Sequence, residues 1–250
     1  MKNTCMKIVL AAMVVVGMGL AMPVQGETIL IDLGNDGTWR GASVANPDVN
    51  GNYWNSVGYG YVPGLVDTAG NATSVAYAPD GIGGTDSYNG PAGDTAAHPA
   101  TIGNTLINAA ALGDLGVIEA AYDFFDNGAF QIQGLDNTKT YNLTIFGSHK
   151  YDIPGISTYE IHTDNTYSSV VASTTLAHND DSINGWEWEH NQDRVATITG
   201  VAPQTSDILY FKYTGFVNSI KLEAIPEPAT LGLLSIAGAG LFFARRMRRG

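Results

Sequence analysis

Two short stretches of the 250-residue chain interleave aromatic side chains with small polar ones. The first is Asn50-Gly51-Asn52-Tyr53-Trp54-Asn55 and the second Asn184-Gly185-Trp186-Glu187-Trp188. Sugar rings present flat C–H faces that pack on Trp and Tyr, while their hydroxyls exchange hydrogen bonds with Asn, Asp and His. Asn52, Tyr53, Trp54, Trp186 and Trp188 are therefore candidate carbohydrate-binding residues. In an extended segment Trp186 and Trp188 share one face, leaving Glu187 and Glu189 on the other. The competing reading makes these aromatics staples that fasten Gly-rich loops to a sheet.

Other chemistries are less well served. A hard cation such as calcium wants six to eight oxygen ligands. Asp32, Asn35 and Asp36 follow an apolar segment and supply several, with Glu223 joining them if the first and last apolar segments pair. The alternative for these residues is turn capping. Glycoside hydrolysis needs two carboxylates about 5–10 Å apart, and Glu187 with Glu189 is the nearest approach to such a pair. Neither G-x-S-x-G nor H-E-x-x-H occurs. Ser148 and His149 are adjacent, so on a strand they point to opposite faces and form no dyad. His98, His149, His162, His178 and His190 lie too far apart for a typical zinc site. The chain reads as a non-enzyme.

The elements that position these residues are mostly short strands. Glu27–Leu33 (ETILIDL) is β-branched and apolar and ends in the turn residues Gly34-Asn35-Asp36-Gly37. Residues 34–104 are rich in Gly, Asn, Asp, Pro and Tyr, with short apolar segments such as Ser74–Ala78. Their aromatics, Trp39, Tyr53, Trp54, Tyr59, Tyr61, Tyr77 and Tyr88, argue for ordered loops. A short helix is expected around Leu106–Ala111. Strands are then expected near Ile118–Phe124, Ala129–Gln133, Thr140–Ser148, Thr158–Thr163, Ser168–Leu176, Arg194–Thr199, Ile208–Thr214 and Val217–Ala224. Tyr141, Leu143 and Ile145 alternate with Asn142, Thr144 and Phe146, as in a half-buried strand. Turn residues every 8–12 positions predict an all-β antiparallel sandwich, with ETILIDL closing against the last strand, NSIKLEAI. No internal repeat is evident.

Both ends carry targeting patterns. Lys2 and Lys7 precede the apolar run Ile8–Leu20, and Val24-Gln25-Gly26 offers small residues for a cut after Gly26, which makes 1–26 a signal peptide. Cys5, the one cysteine, lies ahead of that run, so the mature chain would hold no thiol. At the other end stand Pro226-Glu227-Pro228, an apolar run 229–244, and Arg245, Arg246, Arg248 and Arg249. At about 1.5 Å per residue the run makes a transmembrane helix of roughly 24 Å, short of a bilayer core of about 30 Å. Thinning or snorkelling closes that gap. The arginines place this end in the cytoplasm.

Lys2, Lys7 and the four terminal arginines are six of 12 basic residues, and Glu227 is one of 24 acidic ones, so residues 27–225 carry about −17. Such a surface repels nucleic acid and anionic lipid, and suits neutral glycans or divalent cations.

The order Pro-Glu-Pro, apolar helix, arginine cluster resembles the PEP-CTERM sorting signal of exopolysaccharide-producing Gram-negative bacteria. The resemblance implies recognition at the inner membrane by an exosortase-type transpeptidase, which removes the tail. The phrases GLDNTKTYNLTIFGSHKY, TYEIHTDN, ATITGVAP and ILYFKYTG followed by VNSIKLEAI resemble the galactose-binding-like jelly-roll family, which includes many carbohydrate-binding modules. That resemblance spans about residues 115–224. It implies a jelly-roll-like sandwich, often with a structural calcium near Asp32, Asp36 and Glu223. The expectation is an exported, surface-displayed, non-catalytic protein that binds carbohydrate or exopolysaccharide. The rivals are a ligand-free structural protein of the cell surface or matrix, and a glycan hydrolase.

Overall fold

The apolar run that opens the 27–225 region becomes the middle of a sheet. In the computed structural model, which describes residues 27–34, 42–86, 106–149, 155–179 and 190–225, this run is strand β1 (Thr28–Leu33). It pairs antiparallel with the last strand, β11 (Ser219–Ile225), from Thr28 opposite Glu223 to Asp32 opposite Ser219. First and last strands therefore close on each other as expected. On its other side β1 pairs with β2 (Trp54–Val57), and this pair is parallel. The connection of residues 34–53 is long enough to carry the chain back to the start of β1, which a hairpin cannot do. The expectation of purely antiparallel sheets is corrected at this edge.

The remaining strands are β3 (Ala76–Pro79), β4 (Gly84–Asp86), β5 (Phe124–Gln133), β6 (Thr140–Phe146), β7 (Gly155–His162), β8 (Val170–Asn179), β9 (Ala196–Val201) and β10 (Leu209–Val217). They form two sheets, ordered β2-β1-β11-β6-β9 and β3-β5-β10-β7-β8, with β4 also on β5. One apolar cluster fills the space between them. The first sheet sends in Ile29, Ile31, Leu143, Ile145, Ile220 and Leu222; the second sends in Phe130, Ile132, Tyr159, Ile161, Phe211 and Tyr213. Tyr141, Leu143 and Ile145 are all buried, as their alternation predicts. Phe130 stacks on Phe211 with centroids 4.7 Å apart.

β1 does not alternate, because the outer face of its sheet is buried too. Leu30, Trp54 and Phe146 meet Leu112, Leu115, Val117, Ala120 and Ala121 in a second cluster. The cover is the segment 107–121: helix α1 (Ala109–Leu112), capped by Asn108, then 3-10 turns at Gly113–Leu115 and Glu119–Ala121. The strand expected at Ile118–Phe124 is thus a helical turn, and β5 begins only at Phe124. Val117, Ala120 and Ala121 have the i, i+3, i+4 spacing that puts side chains on one helical face.

The Gly- and Asn-rich tract contains a local repeat that its sequence reading missed. Asp48-Val49-Asn50-Gly51-Asn52 and Asp67-Thr68-Ala69-Gly70-Asn71 form the same loop. Each Asp Oδ1 accepts the N–H groups two and four residues on, from Asn50 and Asn52 at 2.8 Å and from Ala69 and Asn71 at 3.0 and 2.8 Å. The turn needs φ of 87° at Gly51 and 84° at Gly70, which favours glycine. The expected signal peptide 1–26 and the expected transmembrane helix 229–244 lie outside the described residues. Among those described, no helix is long and apolar enough to cross a membrane.

Candidate functional site

Helical segments cover the first sheet's outer face, and the outer face of the second carries a set of polar and aromatic side chains. Leu209, Phe211 and Tyr213 of β10 point inward, so alternation turns Tyr210 and Lys212 to the other face, where Tyr210 is still buried and Lys212 half-buried. Register aligns Tyr210 with Gln131 of β5 on one side and His162 of β7 on the other. The next row holds Ala129, Lys212 and Glu160. Beyond β3, Val62 bridges the core residue Tyr77, so the same alternation puts Tyr61 beside Ala78 on the outer face. Tyr61 is 58% exposed.

A second tyrosine reaches over this face from the β7–β8 hairpin. Thr163 donates its N–H to the Ser169 carbonyl, and Asp164 Oδ1 accepts from the Thr166 N–H at 2.9 Å. Tyr167 follows in the left-handed region at φ 52°, which is uncommon for a residue with a side chain. Its ring meets His162 edge-on at 5.4 Å, and its hydroxyl donates to Asp80 Oδ2 at 3.0 Å. The same oxygen accepts from Gln131 Nε2 at 2.8 Å, and Gln133 Nε2 donates to Gln131 Oε1 at 2.8 Å. A hydrogen-bonded row of amide, carboxylate and phenol thus crosses from β5 to the hairpin.

The electrostatics keep these groups in fixed roles. Burial, the hydrogen bond to Asp80 and the Asp80 charge all push the Tyr167 hydroxyl above its ordinary value, so it stays a protonated donor. The Thr166 hydroxyl and N–H hold Asp164 below the usual carboxylate range. His162 Nε2 lies 3.1 Å from Glu160 Oε2, while its buried Nδ1 has no hydrogen-bond partner among the described residues. Rings, amides, carboxylates and the Lys212 ammonium thus share one face. The one serine–histidine contact described, Ser157 Oγ to His178 Nδ1 at 2.9 Å, is buried. There Ser157 Oγ accepts the Phe216 N–H, and His178 packs edge-on against the Phe216 ring, so the pair holds structure.

The residues singled out by sequence fall elsewhere. Trp54 is 2% exposed and belongs to the cluster under α1; its Nε1 donates to Asp48 Oδ2 at 2.9 Å. A ring with no free face offers no stacking surface, and Trp54 here fastens its loop to the sheet. Asn52 uses its backbone to close the Asp48 loop. Tyr53 is half-buried with its ring against Gly70, where an added Cβ would sit 3.1 Å from it. Trp186, Trp188, Glu187 and Glu189 lie outside the described residues.

The cation set does not assemble as expected. Asp32 is buried and its Oδ2 accepts the Val44 N–H at 3.1 Å. The antiparallel register puts Glu223 opposite Thr28, four residues along β1 from Asp32, or roughly 13 Å at strand rise. Glu223 therefore leaves the set, and Asp36 lies outside the described residues. Among those described, no group of three His, Asp or Glu residues is placed to hold a metal. The outer face itself was missed because its members come from five separate segments. Its signal was the polar phase of strands already expected, Gln131 and Gln133 against Phe130 and Ile132, and Tyr210 and Lys212 against Phe211.

Residues 224–249 match the PEP-CTERM protein-sorting motif. The match includes Pro226, Glu227, Pro228, Arg245, Arg246, Arg248 and Arg249, all outside the described residues. The motif implies export and membrane-associated sorting by an exosortase-type enzyme. No curated protein matches the chain.

Proposed function

We propose that this exported, exosortase-sorted protein binds neutral carbohydrate without catalysis, through the outer face of its second sheet. One observation carries the reading: Tyr61, exposed, and Tyr167, half-buried, flank the half-buried row of Gln131, Gln133 and Asp80 on the outer face of the second sheet. Phenol rings offer stacking area, and the row between them offers both donors and acceptors to sugar hydroxyls. The likeness of the strand phrases to galactose-binding-like jelly rolls supports the same reading. So does the charge of about −17 over residues 27–225, which turns away anionic polymers. The membrane in question is the inner membrane, and the partner after release is the surrounding exopolysaccharide.

Affinity electrophoresis of residues 27–225 through gels containing neutral polysaccharides tests this. Retardation by at least one polymer is expected. Tyr61→Ala with Tyr167→Ala should weaken it about tenfold, the equivalent of roughly 1.4 kcal/mol. Free migration in every neutral polymer would overturn the proposal. The rival is a ligand-free structural protein of the cell surface. It is favoured by the use of Asp48, Asp67, Asp136 and Asp164 in holding the protein's own turns.

A further inference from the structure

β8 is the edge strand of the second sheet, and it differs from the other edges. β2 is four residues long and is sewn to its neighbours by Asn55, whose side chain bonds Leu30 and Val66. β3 has four residues, ends in Pro79 and is bridged by Val62. The β9 ladder is broken opposite Tyr141 and Leu143, and its Gly200 sits at φ 68°. Each of these is short, covered or bulged, as protected edges usually are.

β8 runs for ten residues, Val170–Asn179, with no charge and no proline. Among the described residues, only its far end is capped, where the His178 carbonyl accepts the N–H groups of His149 and Asn191. Among the described residues, Val170–Ala177 pairs with β7 and with nothing else. Val170, Val171 and the neighbouring Ile156 are exposed at 50%, 45% and 67%.

We propose that two copies of the chain dock antiparallel through Val170–Ala177, joining their second sheets across a twofold axis. This goes beyond the carbohydrate reading and does not depend on it. The strand is complementary to itself. With the axis at Thr174, Ser173 opposes Thr175 of the copy, Val171 opposes Ala177 and Ala172 opposes Leu176. Hydroxyl meets hydroxyl and apolar side chain meets apolar side chain, the pairs that favour strand association. Charge selects the same strip. Copies of residues 27–225, each with a net charge of about −17, repel over most of their surfaces, and residues 165–179 carry no charge at all. A cationic foreign peptide would find no counter-charge on this strand. Pairing here sets two outer faces edge to edge, a bivalent arrangement for a polymer.

Residues 27–225 contain every described strand and both apolar clusters and form a unit of their own, so that segment serves for the test. Sedimentation equilibrium over a concentration series should give a monomer–dimer equilibrium. Amide exchange should show Val170–Ala177 protected in the dimer. Ser173→Lys with Thr175→Lys sets like charges opposite each other and should leave a monomer of unchanged melting temperature, with those amides exchanging fast. Ser173→Ala with Thr175→Ala, which adds no charge, should still dimerise. A wild-type chain that stays monomeric overturns the proposal. So does a dimer that survives the lysines, or one that leaves 170–177 unprotected.

Discussion

Burying an indole obliges the fold to find an acceptor for its N–H, and at Trp54 that acceptor is Asp48. Asn46 completes the arrangement: its side chain accepts the Trp54 N–H at 2.6 Å and donates to the Trp54 carbonyl at 3.0 Å. Trp54→Phe keeps most of the ring but leaves one Asp48 oxygen short of its donor, so it should cost about 1–3 kcal/mol. Trp54→Ala also empties the space between Leu30 and α1 and should cost about 3–5 kcal/mol. Urea denaturation measures both. Carbohydrate retention by the protein that remains folded should be unchanged in either variant, because the ring reaches no surface. A loss of binding without a loss of stability would return Trp54 to the candidate site. Composition alone cannot separate a stapling tryptophan from a binding one. The discriminating cue is the acceptor pair Asn46 and Asp48 upstream, whose meaning depends on a loop closing.

The loops are the elements where acidity acts on stability. Asp67 is pushed up by burial but pulled further down by the Asn71 side chain and by the N–H groups of Asn71, Ala69 and Gly70. Asp136 is lowered by the hydroxyl and N–H of Thr138, and Asp164 by those of Thr166. A carboxyl lowered on folding adds stability above its unfolded value and loses it as pH falls through the folded one. Urea midpoints should therefore hold from neutral pH down to about pH 4 and then decline. Asp67→Asn should flatten part of that decline while lowering the midpoint at neutral pH. An acid limb unchanged in this variant would remove the loop from the account. The same loops explain which strands could be read in advance. β6 and β10 carry enough alternating residues for their phase to be plain. β2, β3 and β4 have three or four residues each and hold their places through side chains such as Asn55, so nothing in their own pattern identifies them. The Ile118–Phe124 run reads as a strand by content, and its position above Phe146 makes it a turn.

For the whole molecule, the ends and the middle differ in how their physics is written. An apolar run with basic flanks acts through its length and order along the chain, so Pro226-Glu227-Pro228, 229–244 and the arginines can be read directly, and the motif match covers them. The outer face exists only once Val62 meets Tyr77 and Tyr167 crosses to Asp80, contacts between segments far apart in sequence. The two parts make one prediction about fate. Pro226 and Pro228 have no backbone N–H and disfavour helix at the residue before each, which favours the extended form a processing enzyme can hold. Replacing Pro226, Glu227 and Pro228 together by alanine restores helix propensity and lets the apolar run continue backward. In the native host the variant should stay in the membrane fraction with its C-terminal peptide intact to Gly250. The unaltered chain should lose that peptide and leave the fraction, as read by fractionation and intact mass. Because residues 27–225 form a unit of their own that contains every described strand, both proteins should retain the same melting temperature. A variant released and trimmed like the parent would show that the tripeptide is not what the sorting enzyme grips.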